Sequence, residues 1–217
     1  MMLQSPLSHL EPPKDCPRCP RLVALRAQCR VDHPDWWNAP VPAFGDPEAR
    51  IVVVGLAPGQ HGANRTGRPF TGDSAGEMLF ATLARLGLAE GDYDGRPDDG
   101  LRLRDVVIVN AVRCLPPQNK PLPEEIRNCR DFLKPAVTAL ARARIFIALG
   151  QIAHQSTVKA LGGKLPKAPF AHLAEHRMPS GKIVIDSYHC SRYNQNTGRL
   201  TADMLEAVFA RAVALSG

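Results

Sequence analysis

The chain has 217 residues, 44% of them hydrophobic, enough to bury a full core as one domain spanning 1–217. No apolar run of about 18 residues occurs, and the first residues mix prolines with Glu11, Lys14 and Asp15, a pattern that excludes a membrane span and a signal peptide and predicts a soluble, cytoplasmic protein. A net charge of +6, carried mostly by arginine, favours an anionic partner.

In chain order, residues 1–15 are spotted with proline and are expected to stay poorly ordered until a metal pins Cys16, which would anchor an N-terminal segment of residues 1–47. Pro20 to Arg30 predicts a short helix. His33 to Pro47, with four prolines and the pair Trp36 and Trp37, predicts an irregular surface segment whose tryptophans serve as anchors or as a base-stacking platform. Ile51 to Val54 is a continuous apolar run, as a strand covered on both faces requires. It leads into GLAPGQHGANRTGRPFTGD, Gly55 to Asp73, where five glycines accompany Gln60, His61, Asn64, Arg65, Arg68, Phe70 and Asp73. A loop at the carboxyl end of a parallel strand is where α/β sheets bind ligands, and glycines let backbone amides approach them. Ser74 and Glu77 then read as a capping box, Leu79, Leu83 and Leu86 recur at helical spacing, and Gly87 ends the helix.

Gly91 to Asp105 is acidic and lacks an apolar period, which predicts a surface loop. The second strand runs from Val106 to Val109, with Asn110 at its carboxyl end. Cys114 leads into a proline-rich stretch expected to hold Gln118 and Asn119 rigidly, and Pro123, Glu124 and Glu125 open a helix that carries Cys129. Ile145 to Leu149 is a third strand, followed from Gly150 by a helix closed at Gly162 and Gly163. Beyond a basic loop, Ile183 to Ile185 delivers the segment Ser187 to Asn194 to the same sheet edge, and a last helix starts near Thr201. Strands alternating with helices predict an α/β protein, a three-layer α/β/α sandwich with a central four-stranded parallel sheet. Three loops, 55–73, 110–120 and 187–196, would then converge on one crevice.

Six cysteines in a cytoplasmic setting argue against a disulfide framework. Cys16 and Cys19 form C-P-R-C, and Cys114 and Cys129 can supply a second pair of thiolates. Four such ligands suit a tetrahedral zinc or a cubane iron–sulfur cluster, and spacing leaves both open. Cys29 and Cys190 read as small core residues.

The usual phosphate-loop and dinucleotide glycine motifs are absent, as is a serine elbow. What the crevice holds is a carboxylate, amides, an imidazole and a phenylalanine in a basic protein, the equipment for gripping a flipped base.

GLAPG after the first strand, GRPFTGD before the helix, VRCLPPQNKP after the second strand, SYHCSR after the fourth and the four-cysteine pattern together resemble the type B, or family 5, iron–sulfur uracil-DNA glycosylases. The resemblance runs from Cys16 to the final helix. It implies a structural 4Fe-4S cluster on Cys16, Cys19, Cys114 and Cys129, and hydrolysis of the bond between deoxyribose and uracil or another deaminated base such as hypoxanthine or xanthine. It implies that His189 donates to the base carbonyl as charge develops, that Phe70 stacks on the base, and that Gly55, Leu56, Ala57 and Gly59 line its edge while Asn110 reads the uracil amide. Asp73 would position water or stabilise the sugar cation, with Asn119 assisting, although Asp73 also stands where it could cap the following helix. Ser191, Arg192 and Tyr193 would form the wedge that replaces the flipped nucleotide, and Lys120, Lys164, Lys167 and Arg199 could grip phosphates. The expected partner is single- or double-stranded DNA containing deaminated bases, met by a monomer without a membrane. Two other readings stay open: a non-catalytic iron–sulfur protein that binds damaged DNA, and a zinc-stabilised nucleotide-binding protein.

Overall fold

The computed structural model describes residues 7–217, so residues 1–6 of the N-terminal expectation lie outside the described residues. From Leu7 onward the segment is packed rather than loose. Leu7 is buried in the core, and Glu11 accepts from the Ala43 amide at 2.7 Å and pairs with the buried Arg113 at 2.8 Å. A buried guanidinium without its carboxylate would be costly, so this pair ties the start of the chain down independently of Cys16.

The elements are α1 (Pro20–Asp32), β1 (Phe44–Gly45), β2 (Ile51–Gly55), α2 (Ala63–Thr66), α3 (Ser74–Arg85), β3 (Ala89–Glu90), β4 (Arg102–Leu103) and β5 (Val106–Asn110), followed by α4 (Pro123–Ala139), β6 (Ile145–Leu149), α5 (Gln151–Ala160), β7 (Glu175–Arg177), β8 (Ile183–Ser187), α6 (Arg192–Asn196) and α7 (Ala202–Ser216). The main sheet has the order β1-β5-β2-β6-β8-β7. Its four inner strands are parallel, which places Gly55 opposite Asn110 and Leu149 opposite Ser187 along one edge.

The expected four-stranded parallel sheet is therefore the centre of a six-stranded one, flanked by the antiparallel edges β1 and β7. Neither edge carries an apolar alternation: β1 is two residues long and β7 reads Glu-His-Arg. They are strands because β5 and β8 present unpaired backbone groups that the passing chain can satisfy.

The two-residue period sorts the sheet into two cores. Ile51, Val53, Ile108, Ile147 and Ile185 pack with Leu79 and Leu83 of α3 and Leu205 and Phe209 of α7. Val52, Val54, Val107, Phe146 and Val184 pack with Leu133 and Val137 of α4 and Val158 of α5 on the other face. The chain leaves β2 toward β5 and leaves β6 toward β8, so a crevice opens where the carboxyl ends of β2 and β6 diverge.

The start of α3 corrects the expected Ser74–Glu77 capping box. Asp73 is the extended cap residue, its Oδ1 accepting from Gly76 N at 3.1 Å, so Ser74 is already helical. A carboxylate both caps and complements the helix dipole, which a serine hydroxyl does only in part. The acidic excursion is likewise no free surface loop: β3 and β4 pair at its ends, and Asp99 and Tyr93 turn inward.

Candidate active site

Gly55, the last residue of β2, is packed against Phe70 and Asn110. A side chain there would run into the Phe70 ring, 2.7 Å from Cε2, and into the Asn110 amide. Glycine is what lets the two approach. Asn110 is only 3% exposed, yet its Oδ1 has no hydrogen-bond partner among the described residues. Such an orphaned acceptor costs about 1–3 kcal/mol and points to a ligand donor that would satisfy it.

Phe70 is held in place at some expense. Its φ of 54° is left-handed, a conformation that a bulky residue adopts only when its surroundings impose it. The Tyr93 hydroxyl supplies that constraint, donating to Phe70 O at 3.2 Å and accepting from Gly72 N at 3.1 Å. Beside it Arg68 forms a buried two-pronged pair with Asp99, both contacts at 2.7 Å, and lies over the Phe44, Phe80 and Tyr93 rings. Asn64 is also buried and bonded, to Asn38 at 2.9 Å. Arg68 and Asn64 thus shape the loop from within. Trp36 and Trp37 act as anchors: Trp36 stacks on His33 with ring centres 3.8 Å apart, and Trp37 donates to Pro40 O at 3.1 Å.

The His189 ring lies 5.9 Å from that of Phe70, the two planes inclined by 26°. Desolvation pushes its pKa below the ordinary 6.5, only partly countered by the Asp73 carboxylate, so the ring is neutral at neutral pH and can donate through one nitrogen. Leu56, Ala57, Gly59, Asp73, Asn119, His189, Ser191 and Arg192 line one open cleft of about 390 Å³. Every residue expected to work on the sugar or the water is therefore brought together. Asp73 does cap α3, but with one oxygen; the other, Oδ2, is turned toward Gly59 and Gly62. Asn119 and its neighbour Gln118 take φ values of 56° and 55° in the proline-rich turn, which aims Asn119 at the cleft. Cys190 is fully buried, its thiol pushed up to about 12 first by burial and then by Asp73, so it is a packing residue and not a nucleophile.

The expected wedge loop is a short helix. Ser191 caps α6, accepting from Asn194 N at 3.4 Å, while Arg192 and Tyr193 project outward, Tyr193 being 72% exposed. Arg199 lies over the Tyr188 ring at 4.6 Å. Lys164 and Lys167 line a separate recess with His176 and Arg177, and Lys120 is exposed directly after Asn119.

The four cysteines of the expected ligand set meet in one small recess walled by Leu22, Val23, Val112 and Phe132. Donors are aimed at the sulfurs: Arg113 N at Cys129 Sγ (3.2 Å), Asn128 Nδ2 at Cys19 Sγ (3.6 Å) and Arg26 at Cys114 Sγ (3.9 Å). Burial pushes Cys114 up to about 12 and Cys129 up to about 11. Cys29 is buried apart from them, as expected of a core residue.

Sequence reading missed Tyr93, Asp99, Asn194 and Gln195, which hold the site without lining it. It also missed a second His and Asp group: Asp186 on β8 takes His154 Nδ1 at 2.7 Å and His176 Nε2 at 3.0 Å, and the other ring nitrogen of His154 donates to Ala168 O at 2.9 Å. Apolar periodicity gives no signal for such contacts between distant residues.

A sheet whose crevice at the β2 and β6 ends gathers an imidazole, a carboxylate and an amide in one cleft, beside a buried phenylalanine, is the scaffold of a base-excising enzyme. The chain belongs to the uracil DNA glycosylase superfamily, whose family model matches residues 42–212. Within it the likeness that spans nearly the whole chain is to type-5 members. A type-5 uracil-DNA glycosylase of Thermus thermophilus is 44% identical over 207 residues, covering 93% of this chain and 94% of that protein. One of Pyrobaculum aerophilum is also 44% identical, over 94% of this chain and 90% of its own. The likeness to a type-4 uracil-DNA glycosylase of Archaeoglobus fulgidus is shorter, 38% over 53% of this chain and 50% of that one.

Proposed function

We propose that this chain is a monofunctional DNA glycosylase that hydrolyses the N-glycosidic bond of deoxyuridine and of other deaminated nucleotides. The observation that carries this is the meeting of Asp73, Asn119 and His189 in one cleft, with the Phe70 ring beside His189 and packed on Gly55 next to Asn110.

The base enters against Phe70, and the Asn110 amide meets its edge, Oδ1 accepting from the base N–H. As the bond to the sugar breaks, negative charge grows on the base, and the His189 N–H donates to its carbonyl. Positive charge grows on the sugar facing Asp73, whose Oδ2 is free to hold a water for attack while Oδ1 stays on the helix. Among the described residues no lysine lines the cleft, in keeping with release of the base without strand cleavage. Arg192 and Tyr193 stand where a wedge would fill the vacated stack.

The cysteine recess fits a 4Fe-4S cluster held by Cys16, Cys19, Cys114 and Cys129. Its donor set is all thiol, its wall is largely apolar, and two amides and the Arg26 guanidinium face three of the sulfurs. When bound, the cluster supplies a cross-link between the segment before α1 and the helix α4, and hydrolysis needs no electron from it.

The test is base release from an oligonucleotide carrying one deoxyuridine, with alkali to reveal abasic sites, alongside iron, sulfide and zinc analysis. Release with iron and sulfide present is the expected result. Binding to the damaged strand without release would leave a non-catalytic damage-binding protein, and zinc in place of iron would overturn the cluster assignment.

A further inference from the structure

Among the described residues no hydrogen bond holds the His189 ring, so its position depends on its own backbone and on packing with Phe70 and Gly150. Upstream the backbone is held by His172, which accepts from Tyr188 N at 3.4 Å, and from His189 onward it is strapped by α6. Asn194 Nδ2 donates to His189 O at 2.7 Å, and Gln195 Nε2 donates to Cys190 O at 2.7 Å. The second hydrogen of the same Gln195 amide goes elsewhere, to Ser74 O at 3.0 Å, across 121 residues of sequence. Ser74 follows Asp73 directly, on the helix that Asp73 caps.

One half-buried side chain thus joins the main chain beside His189, the main chain beside Asp73 and the helix whose outer face carries Arg192 and Tyr193. A five-residue helix has no stability of its own, so α6 keeps its shape through these tertiary bonds and must pass any displacement into them.

Building on the glycosylase reading, we propose that Gln195 is a positioning residue that couples the seating of α6 in duplex DNA to the alignment of His189 with Asp73. Contact of Arg192 and Tyr193 with the duplex loads α6, and the Gln195 amide transmits that load to both catalytic main-chain segments. The site is then aligned fully only when the wedge is seated.

Two variants test it. Gln195→Met keeps the length and removes both donors; Gln195→Glu keeps the shape and sets a carboxylate against two carbonyl oxygens. Single-turnover release from duplex deoxyuridine should fall about 10- to 100-fold in the Met variant and further in the Glu variant, the scale of a catalytic group misplaced by about 1 Å. Duplex affinity should change little, because no base or phosphate contact is lost. The discriminating readout is the ratio of duplex to single-strand rates, which should drop in both variants since a single strand offers no stack for the wedge. An equal loss on both substrates, with a lowered unfolding midpoint, would make Gln195 a structural brace; an unchanged rate, or a loss confined to affinity, would also overturn the proposal. Failure of the unaltered chain to release uracil would sink the activity reading instead, before any variant is made.

Discussion

Two groups of nearly identical chemistry sit three residues apart on β8 and the loop that leaves it. Asp186 with His154 and His176 lies beneath the sheet edge, and His189 with Asp73 and Asn119 lies in the cleft above it. In the first, both carboxylate oxygens and both nitrogens of the His154 ring are committed at 2.7 to 3.0 Å. In the second, one Asp73 oxygen is uncommitted among the described residues, Asn119 is exposed, and the Oδ1 of nearby Asn110 has no partner. Residue type does not separate a working group from a structural one; the hydrogen bonds left unmade do.

The sharpest way to break this comparison is Asp73→Asn. Asparagine caps a helix about as well as aspartate, so the unfolding midpoint should hold while uracil release falls by about 10²- to 10⁴-fold, the scale of a lost general base or electrostatic partner. Asp73→Ala should add to that loss about 1 kcal/mol of stability for the missing cap. Activity that survives in the Asn variant would reduce Asp73 to a cap and shift the chemistry to Asn119 and His189.

Asp186→Ala should do the opposite. Two imidazoles lose their acceptor in the interior, and breaking a buried paired group in this way costs about 3–5 kcal/mol. Chemical denaturation should show that loss, while the fraction still folded releases uracil at close to the native rate. A large fall in rate with the stability intact would move Asp186 into the catalytic group.

How far the sequence discloses the molecule follows the same division. The inner strands are legible because Ile51 to Val54 and Ile145 to Leu149 are apolar on both faces, and GRPFTGD and SYHCSR mark loops whose chemistry is carried by their own residues. Asp73, Asn119 and His189 could be placed in one cleft because parallel strands present their carboxyl ends together. The edges β1 and β7 were not legible, since a neighbour's unpaired backbone makes them strands. Nor were Tyr93, Asp99 and Gln195, whose roles exist only as contacts with residues far away in the chain. Gly91 to Asp105 reads as solvent-facing by composition, yet Asp99 is drawn inward because it is the carboxylate that pairs with the buried Arg68.

Asn110 offers a smaller and more selective test. Replacing it with Ala removes a buried acceptor that nothing satisfies, so stability should stay level or rise slightly. Discrimination between uracil and other deaminated bases should weaken by about 10-fold or more, the effect of deleting a group that reads a substrate N–H. A panel of hypoxanthine, xanthine and uracil substrates would show it as a compressed spread of rates; a spread identical to that of the native chain would mean that base selection lies with other residues.

The smallest expected effect is on acid stability, and it isolates His189 from the paired imidazoles. Burial lowers its pKa below the ordinary 6.5, so the unfolded chain binds that proton more readily than the folded one. The stabilisation is complete above 6.5 and is lost as the pH falls through the lower, folded value. His189→Gln, which cannot take up the proton, should flatten the loss of stability between pH 7.5 and 5. Part of the slope should remain, because His172 is shifted in the same direction by its own burial. Equal slopes in the two proteins would mean that burial does not depress the His189 pKa; a steeper loss in the Gln variant than in the native chain would mean that the folded state holds the ring charged, as a cation facing the departing base rather than a neutral donor to it.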